Sequence, residues 1–419
     1  MTDRPLRIAF YSPALPESGA SNGIVTYTRI MRDALRALGH EVMVVTTDQI
    51  EQADGKVVAI EKPGRLRLKL RLWRESRRQP DGSDPWVRLH VLHALSAALK
   101  QRPDLIEMEE SHGWGGRVVG RGAAVVERLH GPHVFGREEI ESDSERLLGN
   151  LREEAELASL TKVQAITCPS ARLLQAMVGR YDLKLPLART IPNPMPLLSA
   201  KDVWDIGRAD PSQILCVGRF DLRKGADIVL RAFARACEQR PSLSLVLVGP
   251  DRGLKQPGGD VVHFDEFVRN EVPLEVRSNI RFLGTQSQDQ LTRLRCQSGV
   301  MIVASRFENF PYSIAEAMSV GMPVLASDSF GNSELVRDGV DGRIVPIGDI
   351  AATAEAILEM TANPARLAEM GAAARKSVAD RLDPVLVATE SLKLYRQVAR
   401  RTDAASRSVN RSTLAAAHD

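Results

Sequence analysis

The sequence predicts an α/β protein of two domains, on three observations. Strand-like apolar runs alternate with helical apolar spacings along both halves, and a chain of 419 residues with 43% hydrophobic content is too long for one core. A proline-rich break, Ile191–Pro196 (IPNPMP), then leads into a polar stretch, which sets the boundary between Ile191 and Pro211. In the first half Leu6–Ser12 reads as a strand and Ser18–Gly23 (SGASNG) as a glycine-bearing loop. Ile24–Leu38 reads as a helix stopped by Gly39 and Glu41–Thr46 as the next strand, giving one βαβ unit. Gly19 and Gly23 lack the GxGxxG spacing of a dinucleotide fingerprint; an ordinary turn and a close backbone approach to a ligand both fit them.

Further on, Val125–Leu129 is a strand whose end delivers His130 and Gly131, with His133 nearby. A lone histidine after a strand is often structural, and it is also well placed for chemistry near neutral pH. Asp104–Gly115 (DLIEMEESHGWG) sets Glu109, Glu110 and His112 at another strand end, where they would form a wall for an acceptor.

The second half carries the sharper pattern. Ile214–Val217 is a strand that runs into Gly218, Arg219, Lys224 and Gly225, after which Ile228, Val229, Ala232 and Phe233 return at helical spacing. Val300–Ala304 is a β-branched strand and Ile314–Val320 a helix. Pro311 suits the first helical position, with Asn309 or Phe310 as its cap. Glu308 falls on the loop and Glu316 inside the helix. Gly321 ends the helix, Pro323–Ser327 is a further strand, and Gly331 and the DGVDG turn of Asp338–Gly342 follow. In parallel strands these turns share one crevice, where two cations would neutralise a diphosphate and two carboxylates would accept from hydroxyls. Taken alone, the same residues also fit solvated charges.

GRFDLRKG (Gly218–Gly225), LVLVGP (Leu245–Pro250), IRFLG (Ile280–Gly284) and FENFPYSIAEAMSVGMPVLAS (Phe307–Ser327) together resemble, in order and spacing, the donor half of retaining glycosyltransferases of family 4. The resemblance implies a GT-B fold: two Rossmann-like, doubly wound domains facing each other across a cleft. Residues 1–197 would be the acceptor domain and 211–384 the nucleotide-sugar domain. A helix over 385–401 would cross back to the first domain, ahead of a disordered tail over 402–419. It implies that Arg219 and Lys224 hold the donor diphosphate, Glu308 the sugar hydroxyls and Glu316 the ribose. Gly218, Asn309, Phe310 and Pro311 would complete that lining. Gly19 and Gly23 would approach the donor phosphate, His130 would contact the donor sugar, and Glu109, His112 and His133 would face the acceptor.

Composition restricts the alternatives. The four cysteines, Cys168, Cys216, Cys237 and Cys296, form no CxxC pair, which fits buried thiols in a reducing cytosol better than a disulfide frame or zinc site. No apolar run approaches the length of a membrane span, and the amino terminus lacks a signal peptide's features. Lys62–Arg78 carries eight Lys or Arg against Glu75 alone, a net of +7 within a chain of net +3, so the remainder is −4. Either it is a solvated flap, or it contacts an anionic acceptor or the inner face of a membrane, where each cation adds up to about 1 kcal/mol. No aromatic platform accompanies the charges, which argues against nucleic acid.

The expected function is transfer of a hexose from a nucleotide sugar, UDP-linked, to a hydroxyl acceptor such as a glycan, glycolipid or secondary metabolite. The nucleotide sugar is a co-substrate, no cofactor is implied, and no DxD motif at a strand end asks for a metal. A sugar-nucleotide epimerase or hydrolase of the same fold would isomerise or release sugar without acceptor. A non-catalytic sugar-nucleotide binder would show no turnover.

Overall fold

The computed structural model describes residues 4–19, 22–61, 70, 73, 75, 80–137, 142–198, 203–257 and 259–415, with side chains to Thr402. The basic residues of Lys62–Arg78 therefore lie outside the described residues. The chain divides into two compact units, one of residues 1–137, 141–194 and 384–419, the other of 138–140 and 195–383.

The first unit is built on an eight-stranded sheet ordered β4-β3-β2-β1-β5-β6-β7-β8. Its strands are β1 (Arg7–Tyr11), β2 (Glu41–Val45), β3 (Gln49–Glu51), β4 (Val57–Ala59), β5 (Leu105–Glu109), β6 (Ala124–Arg128), β7 (Ala165–Cys168) and β8 (Ala188–Thr190). From β2 to β8 the pairing is parallel, and β3 and β4 add an antiparallel edge. β1, β2, β5, β6 and β7 are buried almost throughout, as strands covered on both faces must be. The helix Gly23–Ala37 opens on Asn22, whose side chain accepts from the Ile24 amide.

The second unit holds a six-stranded parallel sheet ordered β13-β10-β9-β14-β15-β16. It comprises β9 (Asp210–Val217), β10 (Ser244–Val248), β13 (Ile280–Phe282), β14 (Ser298–Val303), β15 (Val324–Ser327) and β16 (Gly342–Val345). A separate hairpin pairs β11 (Leu254–Lys255) with β12 (Val261–Val262). In chain order the sheet reads 3-2-1-4-5-6, the doubly wound order whose direction reverses between β9 and β14. That reversal opens a crevice at the carboxyl ends of the two strands.

Two local readings are corrected. Pro311 is not the first helical residue: it occupies the cap, with extended backbone, and the helix runs Tyr312–Val320, its third and fourth amides both donating to the Pro311 carbonyl. The last helix does not stop near Arg400 but runs Pro384–Ala415, because nothing after Pro384 breaks it: no further Pro or Gly occurs, and Ala, Arg and Leu are strong helix formers. It is fastened to the first unit by Tyr395, whose hydroxyl donates to buried Glu107 Oε2 at 2.5 Å, while Tyr27 donates to Oε1 at 2.6 Å. No described helix is long and apolar enough to cross a membrane.

Candidate functional site

In the second unit the site is built from two loops at the reversal of strand order. The first leaves β9 at Gly218 and is pinned by Phe220, which is buried against the rings of Phe264, Phe267 and Phe282. Asp221 organises its cations. One carboxyl oxygen accepts the Lys224 amide at 2.7 Å and the other accepts Arg219 Nε at 2.6 Å. Gly225 then caps the next helix with φ +68°, pressed so close to the Ala304 carbonyl that an added Cβ would overlap it.

The second loop leaves β14. Arg306 forks onto both oxygens of Asp227 at 2.8 and 2.9 Å and also donates to the Leu222 carbonyl at 2.5 Å, while its amide donates to the Arg223 carbonyl at 2.9 Å. The two loops are thereby fixed to one another. Glu308 is buried, its Oε1 accepting from Lys224 Nζ and, at 3.1 Å, from the Ser305 hydroxyl. Burial pushes this carboxyl up, but Lys224 and then Arg223 outweigh it and leave it below the ordinary carboxylate value. The reading of Glu308 as a solvated loop residue therefore does not hold. A third loop closes behind it: the Gly331 amide donates to the Glu308 carbonyl at 2.9 Å, with no room for a Cβ against Asn309.

Glu316 lies on the following helix, 18% exposed, and pairs with Arg295, a guanidinium that is only 1% exposed. Gly218, Arg219, Lys224 and Ser305 line a narrow recess, and Arg219 keeps 43% of its side chain exposed. The structure thus gathers Gly218, Arg219, Lys224, Glu308, Asn309 and Pro311 onto two interlocked loops, with a third closing behind them. Phe310 stands beside them, edge-on to Tyr312.

In the first unit the candidates sit at the ends of β1, β5 and β6. Gly19, with φ +72°, ends a short turn of helix after β1, and Gly23 is the first residue of the helix that follows. His130 packs edge-on against Tyr27, ring centroids 5.1 Å apart, and Tyr27 in turn lies under the Arg128 guanidinium at 4.3 Å. Burial first and the Arg128 charge second hold the His130 imidazole well below its usual value, hence neutral. Its backbone is clamped by Glu110, whose two oxygens accept the His130 and Gly131 amides at 2.8 Å each.

Glu156 does the same for the other two histidines. It accepts the His133 amide at 3.0 Å and the His112 amide at 3.4 Å, and pairs with Arg152 at 2.6 Å. His112 donates from Nδ1 to the Asp81 carbonyl at 2.8 Å and stacks on Trp114; burial lowers its basicity. Glu109 accepts from Ser111 at 3.0 Å. Residues that sequence reasoning did not single out for these roles are Asp221, Asp227, Arg295, Glu110 and Glu156. Of these, Asp221 was legible as the acidic residue inside GRFDLRKG and Glu110 as a strand-end carboxylate, though not as the clamp of the His130 loop.

Among the described residues no cluster of three or more His, Cys, Asp or Glu could hold a metal ion. Among the described residues none of the four cysteines forms a disulfide, and Cys168 and Cys237 are buried.

Two family models cover most of the chain: Glycosyltransferase Family 4 matches residues 21–197 and Glycosyl transferases group 1 matches 201–377. Phosphatidyl-myo-inositol mannosyltransferase of Mycobacterium leprae is 32% identical over 192 residues, 44% of this chain and 46% of that protein. D-inositol 3-phosphate glycosyltransferase of Nocardia farcinica is 28% identical over 297 residues, 66% of this chain and 63% of that protein. The chain thus spans about half of the first relative and under two thirds of the second. Among solved structures, sucrose-phosphate synthase from Thermosynechococcus elongatus superposes with a TM-score of 0.70 at 24% identity, covering 93% of this chain and 98% of that one. Anabaena HepE, solved in complex with UDP and glucose, gives 0.64 at 18% identity over 94% of this chain and 100% of that one. The fold is GT-B, with two Rossmann-like domains. The chain belongs to the glycosyltransferases of family 4.

Proposed function

We propose that the protein transfers a hexose from a UDP-sugar to a hydroxyl of a phosphate-bearing polyol acceptor, with retention and without an essential metal. The observation that carries this reading is the placement of Arg219, Lys224 and Glu308 on interlocked loops at the β9–β14 reversal. Each cation has a carboxylate partner within the chain: Asp221 for Arg219, Glu308 for Lys224. An arriving diphosphate offers both cations more oxygens and draws them off, and Glu308, released from Lys224, is freed as an acceptor for the sugar hydroxyls. The gain is largest as the bond to the anomeric carbon breaks, since negative charge then accumulates on the leaving diphosphate.

Retention is drawn as attack from the face the diphosphate leaves, with a diphosphate oxygen taking the acceptor proton, so that no separate base is required. His130 stays neutral in this scheme. The donor assignment is supported by HepE, solved with UDP and with UDP-glucose. The acceptor assignment is supported by relatives whose names carry D-inositol 3-phosphate and phosphatidyl-myo-inositol, and by the basic segment Lys62–Arg78, which suits a phosphate. The proposal includes a cytoplasmic location, with peripheral contact at the inner face of a membrane where the acceptor is a lipid.

The test is a panel of UDP-, GDP- and ADP-sugars screened for thermal stabilisation, then mass spectrometry of products with inositol phosphates and phosphoinositides. A new hexosyl product from a UDP-sugar, unaffected by EDTA and with retained anomeric configuration by NMR, is expected. Isomerised donor or free sugar as the sole product, or binding without turnover on any acceptor, would remove the transferase reading.

A further inference from the structure

Arg295 is a deeply buried charge on a helix packed beside the one that carries Glu316. It sits near the end of that helix, Gln288–Gln297, which also packs along β14. Its terminal nitrogen reaches Glu316 Oε2, and its Nε is buried with no hydrogen-bond partner among the described residues. As a device for stability this is a poor one. A guanidinium stripped of water, with one carboxylate and an orphaned N–H, costs more than an apolar side chain of similar length in the same place.

What the arrangement does supply is orientation. Arg295 is held by packing on all sides, so it fixes the one Glu316 oxygen it touches. Glu316 itself remains 18% exposed, so its carboxylate is still reachable from solvent while one oxygen is held. A carboxylate fixed at one oxygen and open at the other matches the vicinal hydroxyls of a ribose.

We propose that Arg295 is a positioning residue for Glu316, setting the carboxylate in the orientation that receives the ribose hydroxyls of the nucleoside diphosphate. The proposal rests on the donor reading above. It is tested by calorimetry with three probes on the full chain: UDP, 2′,3′-dideoxy-UDP and inorganic diphosphate, with the GDP pair in parallel. The unsubstituted protein should prefer the ribonucleotide over its dideoxy form by about 10- to 100-fold, the range of hydrogen bonds to a charged group. Arg295→Met should shrink that preference to within about 3-fold by weakening the ribonucleotide alone, leaving inorganic diphosphate unchanged. Arg295→Lys keeps the charge but not the reach, and should fall between; it carries the test if the Met variant does not fold. Full preference in a folded variant, or equal loss for all three probes, overturns the positioning role. A distinct result, no ribose preference in the unsubstituted protein, would remove Glu316's ribose assignment and this inference with it, while failure to bind any nucleotide would remove the donor reading itself.

Discussion

Lys224 and Glu308 pair with each other, which makes their substitutions asymmetric. Under the proposed donor reading, Lys224→Ala removes a cation that would hold the diphosphate, and it strands a buried carboxylate. Affinity for UDP should fall by about 1.5–3 kcal/mol, roughly 10- to 100-fold, with some loss of stability. Glu308→Gln releases Lys224 from its partner, so UDP should bind as well or better while turnover of the sugar donor drops. Calorimetry with UDP and steady-state turnover separate the two, and equal losses of UDP affinity would contradict the exchange of partners. Arg219, Lys224 and Glu308 were legible in the sequence because each lies within a few residues of a strand end, so local pattern fixes its place. Arg295 was not: with Thr292, Arg293 and Gln297 around it, it reads as part of a solvated helical face. Glu156 hides the same way within REEAELAS. Both are buried by partners from other elements, which no local window contains.

At the scale of elements, periodicity located most of the strands and helices it named to within a few residues; the last helix, expected to end near Arg400, runs on to Ala415, while the Pro311 miss has a local cause. Pro311 satisfies the rule for a first helical residue, yet its extended backbone makes it the cap, and Phe310 before it is held edge-on to Tyr312. The loops after β9 and β14 depend less on their own sequence than on how closely they approach each other. Gly225 combines φ +68° with contact against the Ala304 carbonyl, so Gly225→Ala meets both a left-handed backbone and a collision with main chain. Its cost should be on the order of 2–3 kcal/mol by denaturant midpoint, and nucleotide affinity should fall because Lys224 is its neighbour. A neutral outcome would mean that the loops can part without consequence. The glycine was visible in GRFDLRKG; the Ala304 carbonyl that requires it comes from another strand.

Across the whole molecule the two units carry opposite responses to pH. Glu308 in the second unit is held below its ordinary value, so its contribution is complete above about 4.5 and is lost as pH falls through the lower, folded value. In the first unit Glu107, Glu109, Glu110, Glu127 and Glu156 are all raised, chiefly by burial. Glu110 is pushed up to about 8 by burial, then by Glu156 and, after the opposing His130 amide, by Glu109. A carboxyl raised in the folded state keeps a proton that the unfolded chain releases, so stability declines as pH rises between the unfolded and folded values. His40, His112 and His130 are lowered and oppose this, but only below 6.5, where the unfolded imidazoles protonate. The carboxyl response therefore stands alone between about 6.5 and about 8, and the first unit should lose stability across that window. Glu110→Gln should flatten the decline, since the amide can still accept one of the two loop N–H groups and carries no charge to strip of water. Thermal unfolding from pH 6.5 to 8.5, followed by hydrogen exchange resolved to β5 and β6, measures it. An unfolding temperature that rises over this range, or a Gln variant with the same slope, would show that the Glu110 carboxyl is already ionised where it grips the His130 loop.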